Sequence, residues 1–460
     1  MDCLTKFVSP QLKTIHRGKV RDSIRIDDNT RMIVVTDRIS AFNKKIKTPI
    51  PTKGAVLNGI ANFWFEQTKH IIDNHVIEQV DDYITLVKEA EPIRVEMIVR
   101  GYLTGSMWRG YQNGKRQISD VVVSDGMVKN QKFDSPILTP TTKDEFDSEI
   151  DEKGIIETGL VSAEIYEQMK AKALELFAFG SEFLAERGII LVDTKYEFGL
   201  VDGKLILIDE IHTPDSSRFW SAADYAANPE TAEQIDKEFV RQWMLANKVD
   251  GEVPSELAAE VVEETSRRYQ EIYKMVTGKE FTLVDLPSKV RIYNNLVKAG
   301  VIKPGFVGIV MGSPSDLEHC KKIKAFVEKY GVCVDMRVLS AHKNGERIAE
   351  LAEMYNTSVE PVGVIAVAGR SNGLGGALAA NLSVPVVNCP PYSDKTDLIL
   401  NVNSSLVMPS KTPATTAVHV DNAAYAIVRS LNIPSIRERM AQDIMDMKQS
   451  LKDADAEIRN

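Results

Sequence analysis

Residues 189–208 combine two apolar runs with an alternating polar and apolar stretch at residues 192–198, and this pattern predicts a β-hairpin. Two apolar runs, Ile189–Val192 and Leu205–Ile208, flank the turn-forming stretch Val201–Gly203. Side chains of a strand point alternately to its two faces. Three charged residues of the first strand therefore share one face: Asp193, Lys195 and Glu197.

The length of the turn decides which residues join that charged face. A two-residue turn at Asp202-Gly203 pairs Glu197 with Ile208 and leaves Asp209 on the opposite face. A three-residue turn with Gly203 in the left-handed conformation places Asp209 diagonal to Glu197, about 7–8 Å away, so that both carboxylates converge on one cation. The hairpin alone leaves the turn length open, and the phosphate-type loops described below favour the three-residue turn, in which two carboxylates beside Lys195 suit Mg²⁺ and phosphate. The alternative is a solvated strand face with cross-strand ion pairs.

The same patterns predict the other elements of the first 290 residues. Short strands are expected over residues 12–17, 23–27, 31–36 and 95–99. Apolar residues at helical spacing predict helices over residues 56–68 and 232–275. Another helix begins after Ser162 and runs to about Arg187, where Gly188 ends it.

Polar and cationic residues concentrate in loops beside these strands. The loops are Gly18–Lys19, Asp37–Phe42, Arg100–Ser106, Thr139–Lys143 and Thr213–Arg218. Lysine, arginine, hydroxyl groups and accessible glycine backbone suit phosphate and carboxylate ligands. Taken alone, Gly18–Lys19 is more typical of a plain turn, and Asp37–Phe42 is equally compatible with a surface turn. Together the loops favour an enzyme that handles ATP and phosphate over a scaffold protein.

The last 160 residues have a different pattern, in which short apolar strands alternate with helices. The strands are expected over residues 307–311, 332–339, 362–368 and 384–389, and helices over 316–330 and 344–355. Strands separated by about 20–30 residues indicate βαβ units around a parallel sheet. Leu286-Pro287 and Lys303–Gly305 bracket a predicted linker at residues 286–303.

Unusual residues follow each of these strands, at the sheet edge where parallel α/β proteins bind ligands. Gly312–Asp316 has hydroxyl groups at a helix start, which suit a phosphate. Ser340–Lys343, Ala368–Gly376 and Pro390-Pro391 follow the next three strands. A histidine is often structural, but His342 beside a lysine at a strand end is favoured as a general acid and base.

A final amphipathic helix of about 20 residues is expected near the C-terminus. Its apolar side is formed by Ile436, Met440, Ile444, Met447 and Leu451. A stripe of this kind packs either in the core or in a subunit interface.

Composition and charge narrow the class of protein. The chain has 460 residues, 43% hydrophobic and 26% charged, which fits a soluble globular protein of two to four domains. The net charge of −9, without a basic run, argues against non-specific nucleic-acid binding. The four cysteines lack metal-ligand or redox spacing. No signal peptide or apolar run of about 20 residues is present, so we expect a cytoplasmic protein without membrane partners.

The first part of the chain resembles phosphoribosylaminoimidazole-succinocarboxamide (SAICAR) synthetase over roughly residues 10–285. Five ordered motifs carry the resemblance: Gly18–Arg21, Asp37–Phe42, Pro92–Ser106, Val192–Gly199 and Asp209–Trp220. The resemblance implies an ATP-grasp-like fold of the α+β class. It also implies the ATP- and Mg²⁺-dependent ligation of L-aspartate to carboxyaminoimidazole ribonucleotide (CAIR).

Residue roles are carried over from this family by position. The implied ATP-binding residues are Lys19, Glu96, Met97 and Val99, with the strand from Glu96 to Val99 along adenine. Lys195 is implied to act near the phosphates, and Glu197 and Asp209 to hold Mg²⁺. The implied CAIR and aspartate ligands are Asp37, Arg38, Ser40, Arg100, Ser106, Lys143, Asp215 and Arg218.

The second part resembles phosphoribosylaminoimidazole (AIR) carboxylase over roughly residues 304–430. The implied fold is a flavodoxin-like, three-layer parallel α/β domain. Ser340–Lys343 and Arg370–Asn372 match the branch that takes CO₂ directly rather than the mutase branch, which has arginine after the histidine. The implied catalytic residues are His342, as proton shuttle, and Lys343. AIR and CO₂ are expected to bind at Ser313, Ser315, Asp316, Ser340, Ser371, Asn372 and Gly373. No cofactor is expected at this site.

These resemblances predict a bifunctional purine-biosynthesis enzyme with a synthetase domain over residues 1–285 and a carboxylase domain over residues 304–460. The carboxylase family forms octamers through this domain, so a homo-oligomer is expected. The alternatives are a mutase or a non-catalytic assembly module in the second half, and a small-molecule kinase in the first.

Overall fold

The computed structural model describes residues 2–41, 44–144, 147–232 and 237–459, and two units are found in it. One unit contains the residues up to Lys6 and Thr14–Ser288, and the other contains Phe7–Lys13 and the chain from Lys289 onward. The predicted linker includes a helix whose buried Ile292 and Leu296 lie four residues apart, on one helical face.

The first unit combines antiparallel strands with long helices. Its strands are β1 (Lys13–Arg17), β2 (Arg21–Arg25), β3 (Thr30–Val35), β4 (Ser40–Ala41), β5 (Lys44–Lys45), β6 (Val76–Asp81), β7 (Ile84–Lys88), β8 (Glu91–Tyr102), β9 (Gln117–Ile118), β10 (Val121–Val122), β11 (Lys132–Leu138), β12 (Thr141–Thr142), β13 (Ile189–Val201), β14 (Lys204–Ile208) and β15 (Ser217–Ser221). Its helices are α1 (Lys53–Gln67), α2 (Gly105–Gln112), α3 (Glu152–Glu157), α4 (Ala163–Ala185), α5 (Ala222–Ala227), α6 (Lys237–Ala246) and α7 (Ala259–Thr277).

Two larger sheets organise the described part of this unit. One has the strand order β1-β2-β3-β7-β6. The other has the order β11-β8-β13-β14, with β12 also paired to β8 and β15 to β13. Side chains of one face of β8 and β13, such as Met97, Val99 and Tyr196, pack in a core with Trp64 of α1 and Phe177 of α4. The opposite face of β8 and β13 is therefore turned away from this core.

Several local predictions differ from the structure. The predicted three-residue turn of the hairpin is wrong, because Val201 pairs with Lys204 across a two-residue turn. Asp202 and Gly203 have φ values of +51° and +76°, as a type I′ turn requires. The helical stretch predicted over residues 232–275 is divided into α6 and α7, with Asp250 and Gly251 in left-handed conformations between them; residues 233–236 lie outside the described part. Ser162 caps α4 as predicted, and Gly188 follows it with φ +70°.

The second unit is a doubly wound α/β domain. Its helices are α8 (Ser288–Lys298), α9 (Leu317–Glu328), α10 (Arg347–Thr357), α11 (Gly373–Asn381), α12 (Lys395–Leu406), α13 (Val420–Ser430) and α14 (Pro434–Arg459). Its strands are β16 (Phe306–Met311), β17 (Cys333–Val338), β18 (Val362–Val367), β19 (Val386–Asn388) and β20 (Thr415–Thr416). Among the described residues these form one parallel sheet in the order β17-β16-β18-β19-β20, the flavodoxin-like order.

Alternate residues of β16 divide between two cores, which gives the predicted three layers. Val307 and Ile309 pack with α9 and α13, whereas Phe306 and Val310 pack with α10 and α11. In α14 only the first part of the predicted apolar stripe is buried, at Ile436 and Met440. Across the described residues, no helix combines the length and apolar character needed to cross a bilayer.

Candidate active sites

Charged side chains form rows across the second sheet of the first unit, on the face turned away from its core. Asp193 of β13 lies opposite Arg100 of β8 and opposite Arg218 of β15. Glu197, four residues further along β13 than Asp193, lies opposite Glu96 of β8. Two carboxylates directly opposite each other repel unless cations lie between them. The sheet therefore carries an arginine-rich row and, further along, a carboxylate-rich row.

Lysines neutralise the carboxylate-rich row. The Nζ atom of Lys195 lies 3.0 Å from Oε1 of Glu96 and 3.7 Å from Oδ2 of Asp209, and it also contacts Glu197. Lys143, on the loop after β12, contacts the other carboxylate oxygen of Glu197. Three carboxylates thus converge on Lys195, whose side chain is only one-quarter exposed.

Asp209 reaches this cluster by a route that the turn length alone does not allow. In the observed register Glu197 pairs with Ile208, so a continued strand would direct Asp209 to the other face. The strand ends at Ile208, and Asp209 has a left-handed backbone with φ +68°. This conformation turns its carboxylate back toward Lys195. The predicted convergence is therefore present, whereas the predicted three-residue turn is not its cause.

Arg21 of β2 holds the same carboxylate from the other side. Its Nη1 atom lies 2.5 Å from Oδ1 of Asp209, and its second terminal nitrogen contacts Glu210. Sequence reasoning placed Arg21 in a motif but gave it no role. Its position at the start of β2, after the Gly18–Lys19 loop, is a signal only once Arg21 is known to contact Asp209 and Glu210, the two residues after β14.

Burial and neighbouring charges move the pKa values of the two carboxyl groups in opposite directions. Burial and the Asp209 charge raise the pKa of Glu197, and the lysines only partly offset them. Burial favours a higher pKa for Asp209 as well, but Arg21, Lys195 and Lys143 outweigh it and hold that pKa below its ordinary value. Among the described residues, no group of three or more His, Cys, Asp or Glu side chains forms a metal site on its own.

The donor set nevertheless suits a hard divalent cation that arrives with a phosphate ligand. Mg²⁺ prefers oxygen ligands and is commonly held by one or two carboxylates, with substrate phosphates and water completing its shell. Glu197 is buried and its pKa is raised, so its charged carboxylate is costly without a counterion. A bound cation would offset that cost. Glu197 and Asp209 fit this role.

Hydrogen bonds hold the side chains of the arginine-rich row in place. Asp193 accepts a hydrogen bond from Nη1 of Arg100 at 3.3 Å and another from Nη1 of Arg218. Nε of Arg100 donates to Oγ1 of Thr139 at 2.9 Å. The Arg218 guanidinium lies against Gly105, where a Cβ atom would be 2.6 Å from Nη2. With two guanidiniums and one carboxylate, the row has excess positive charge beside the start of α2.

Two predicted ligand residues belong instead to the scaffold of the site. The Asp37 carboxylate is fully buried and accepts hydrogen bonds from Leu4 N, Gly54 N and the Tyr83 hydroxyl. Burial raises the pKa of Asp37 to about 6. Arg38 is also buried, and its guanidinium donates to backbone carbonyls of Gly18, Lys19 and Thr5 and to the Asp22 carboxylate. Arg38 therefore shapes the Gly18–Lys19 loop.

The predicted adenine strand is also placed differently. The side chains of Met97 and Val99 are fully buried in the core, on the far side of the sheet from Glu96. The backbone of β8 is paired with β13 on one side and with β11 and β12 on the other. Met97 and Val99 thus offer neither a side chain nor a free strand edge to adenine, whereas Glu96 belongs to the carboxylate cluster.

The other predicted residues of this unit divide by exposure. Lys19 and Ser106 are exposed, and Ser40 is partly exposed in β4; Phe42 of the same motif lies outside the described residues. The side chain of Asp215 is little exposed and lies beside Lys53 of α1, with 2.9 Å between Oδ2 and Nζ, and it accepts a hydrogen bond from the Tyr269 hydroxyl. Lys53 is a fully buried lysine that the sequence did not mark, since it stands at the start of an ordinary helix.

In the second unit, loops at the C-terminal edge of the sheet surround one open cleft. It has about 1990 Å³ of empty space, solvent at its mouth included. The predicted residues that line it are Ser313, Ser315, Asp316, Ser340, His342, Lys343 and Ser371. Tyr392, Asp394, Asp397 and Asn401 also line it. No sequence motif marked these four residues, because they lie on and before α12, beyond the strand-end motifs.

The imidazole of His342 lies directly over the start of α11. A Cβ atom on Gly373 would be 2.8 Å from its Nε2 and 2.9 Å from its Cε1, so the absence of a side chain at Gly373 allows this approach. Asn372 is buried and caps α11 by accepting from Gly375 N at 3.0 Å. Gly373 and Asn372 therefore shape the cleft, and His342 itself is exposed to it.

Hydroxyl groups of the loop after β16 form another wall of the cleft. The Ser313 hydroxyl accepts hydrogen bonds from Ser315 N at 3.3 Å and from the Ser315 hydroxyl at 2.8 Å. Burial raises the pKa of the neighbouring Asp316. This wall combines hydroxyl donors with a carboxyl group, a combination suited to a sugar phosphate.

The fold and these sites define an enzyme with two separate centres for anionic small molecules. A family model described as SAICAR synthetase matches residues 14–257, and one described as AIR carboxylase matches residues 306–454. The chain belongs to the SAICAR synthetase family and carries an AIR carboxylase-family domain in addition. Both resemblances expected from the sequence are confirmed.

Individual relatives agree with this assignment. The phosphoribosylaminoimidazole-succinocarboxamide synthase of Bacteroides fragilis is 44% identical over 297 residues, which cover 62% of this chain and 94% of the relative. That of Azobacteroides pseudotrichonymphae is 43% identical over 285 residues, covering 60% and 88%. The structure of the SAICAR synthase from Saccharomyces cerevisiae complexed with SAICAR matches with a TM-score of 0.56 and 33% identity, covering 61% of this chain and 100% of that one. The first unit therefore has the SAICAR synthetase fold.

Proposed function

We propose that the chain catalyses two successive steps of purine biosynthesis. The second unit carboxylates AIR with CO₂ to give CAIR, and the first unit ligates L-aspartate to CAIR with ATP to give SAICAR, ADP and phosphate. The observation that carries the proposal is the pairing of two complementary sites in one chain. A carboxylate and lysine cluster suits phosphoryl transfer, and a histidine-containing cleft suits proton transfer at a sugar-phosphate substrate.

In the ligase reaction, a carboxylate oxygen of CAIR attacks the γ-phosphorus of ATP and ADP leaves. The aspartate amine then attacks the acyl phosphate carbon, phosphate leaves and the amine loses a proton. Lys195 and Lys143 neutralise charge on the transferring phosphoryl group. Mg²⁺ held by Glu197 and Asp209 would supply Lewis acidity when bound.

The arginine-rich row orients the ribonucleotide in this proposal. Arg100 and Arg218 bind its phosphate or carboxylate through the N–H groups that Asp193 and Thr139 leave available. Ser106, exposed at the start of α2, adds a hydroxyl group. Lys19, exposed on its loop, is assigned to the ATP phosphates.

In the carboxylation, the enamine-like C4 of AIR attacks CO₂. The new C–C bond forms as one C–O π pair moves to oxygen, and His342 then removes the C4 proton to restore the aromatic ring. Lys343, Arg370 and Ser371 line the same cleft as His342, which supports the assignment of Lys343 and the Arg370–Asn372 loop to the carboxyl group. We assign direct use of CO₂ on the basis of Lys343 and Arg370–Asn372, and we expect no cofactor at this site.

The test supplies AIR and bicarbonate to the full chain, then adds ATP and aspartate separately and together. We expect CAIR without ATP, and SAICAR only when both are present. His342→Asn should abolish the first step, whereas Asp209→Asn should abolish the second and leave the first intact. Product formation only from the N5-carboxylated ribonucleotide would show a mutase instead. ATP turnover without aspartate would show a kinase.

We further propose a cytoplasmic homo-oligomer, an octamer formed through the second unit. Ile444, Met447 and Leu451 of α14 are exposed, although their spacing is that of a packed apolar stripe. Light scattering of the purified chain tests this, with an expected mass eight times that of one chain. A monomeric mass at micromolar concentration would contradict it.

A further inference from the structure

The loop after β18 contains a backbone conformation that needs support. Arg370 has φ +57°, in the left-handed region that residues with a Cβ atom seldom adopt. Such a conformation costs about 1 kcal/mol or more and persists only when its surroundings enforce it. The loop lines the carboxylase cleft and ends at α11, so its shape sets the position of Ser371.

Side chains of α12 hold this loop by hydrogen bonds. Oδ1 of Asn401 accepts from Arg370 N at 2.5 Å, and the Ser404 hydroxyl accepts from Asn372 N at 2.7 Å. The Ser405 hydroxyl accepts from the Asn372 side-chain amide at 2.9 Å. The loop is therefore fixed at two backbone N–H groups, one of which belongs to the left-handed residue itself.

Asn401 also joins this loop to the opposite part of the cleft. Its Nδ2 donates to the carbonyl of Pro391, after β19, at 2.7 Å and to Asp397 Oδ1 at 3.2 Å. The side chain is almost completely buried, and a Cβ atom on Gly369 would be 3.2 Å from Nδ2. A buried amide with both ends satisfied has one defined orientation.

We propose that Asn401 is a positioning residue of the carboxylase cleft, which holds the Arg370 peptide in its left-handed conformation and so fixes the side chains that face the substrate. This inference rests on the proposed carboxylase function. Without the Oδ1 acceptor, the Arg370 N–H loses its partner and the loop relaxes toward negative φ. A displacement of about 1 Å at a catalytic site costs on the order of 100-fold in rate.

The test compares Asn401→Ala with Asn381→Ala in the full chain. Asn381 is an exposed asparagine of α11 whose amide donates only to Ala377 O, so it controls for the loss of an asparagine side chain. We expect kcat/KM of carboxylation to fall roughly 10- to 100-fold for Asn401→Ala. We expect ligation by the first unit, and both activities of Asn381→Ala, to stay within twofold of wild type.

A second background separates positioning from general destabilisation. Glycine adopts positive φ without strain, so Asn401→Ala should cost a smaller factor in an Arg370→Gly chain than in the wild-type chain, whatever the activity of Arg370→Gly itself. The same factor in both backgrounds would overturn the inference, as would equal losses of carboxylation and ligation. Asn401→Asp, which keeps the acceptor oxygen, should lose less than Asn401→Ala and serves if the alanine variant does not fold.

Amide hydrogen exchange gives a measurement that is independent of activity. Residues 369–373 should exchange at least tenfold faster in Asn401→Ala than in wild type, and unchanged in Asn381→Ala. Unchanged exchange in Asn401→Ala would refute the positioning role even if activity fell. A wild-type chain that does not carboxylate AIR would refute the proposed function instead, and the exchange result would still decide whether Asn401 holds the loop.

Discussion

Replacement of Gly373 by alanine tests how closely the position of His342 controls carboxylation. The added Cβ atom would stand 2.8 Å from Nε2 and 2.9 Å from Cε1 of the imidazole. Contacts between non-bonded heavy atoms are favourable near 3.5–4.0 Å, so the ring has to retreat by about 0.7 Å or more. The backbone of Gly373 is not left-handed, so alanine itself is tolerated there.

The expected effect follows from this displacement. A shift of about 1 Å between reacting groups costs on the order of 100-fold, so kcat for carboxylation should fall roughly 10- to 100-fold. The KM for AIR should change little, because Ser313 and Ser315 lie on a different loop of the cleft, after β16. Stability should be unchanged or rise by a few tenths of a kcal/mol, since alanine restricts the unfolded chain.

The assay measures carboxylation and ligation of the same preparation, so the first unit reports on the amount of folded chain. Gly376→Ala is the matched control in the same helix, because its Cβ atom would meet only the flexible end of Met408, at 3.1 Å. We expect Gly376→Ala to keep carboxylation within twofold of wild type. Full carboxylation by Gly373→Ala would refute the argument that His342 acts from its place over α11.

Three further predictions concern the first unit. Asp209→Asn should lower ligation by at least about 1000-fold and leave carboxylation unchanged; parallel loss of both activities in a folded variant would contradict two separate sites. Asp193→Asn should raise the KM for CAIR about tenfold with little change in the KM for ATP, because the two arginines lose their shared carboxylate. Asp125→Asn is the control, because the exposed Asp125 carboxylate also pairs with an arginine. Burial lowers the pKa of His212 to about 3, so its stabilisation is present above pH 6.5 and is lost as the pH falls toward 3. In urea titrations the free energy of unfolding of the wild type should fall over that range by roughly 4 kcal/mol more than that of His212→Gln, since other groups titrate in both chains; parallel pH profiles would refute this cause.

The hairpin shows where sequence patterns determine a site and where they do not. Alternation correctly identified the face that carries Lys195 and Glu197. The same reasoning required an odd turn to bring in Asp209, whereas the chain uses a regular turn and one left-handed residue after the strand. Aspartate tolerates that conformation better than most residues, but a single φ value leaves no periodic signal in a sequence.

The residues that position other groups of the sites were the hardest to predict from the sequence. Asp37 and Arg38 have the polarity of ligands, yet their partners are backbone groups of segments distant in the sequence. Arg21 and Asn401 are ordinary residues of a strand and a helix until the neighbouring elements are known. A single sequence shows which side chains are polar, whereas their function depends on which groups the fold places opposite them.

The two units differ in how far topology alone locates the site. In a parallel sheet every strand ends at the same edge, so predicting the strands of the second unit was enough to bring Ser313, Ser340 and Ser371 into one cleft. In the antiparallel sheet of the first unit, strand ends alternate between the two edges, and the site lies on a face. The register of three strands decides which residues this site contains. A shift of one residue in that register would separate Asp193 from both arginines. Register is a relation between distant segments, and it is therefore the quantity that the structure had to supply.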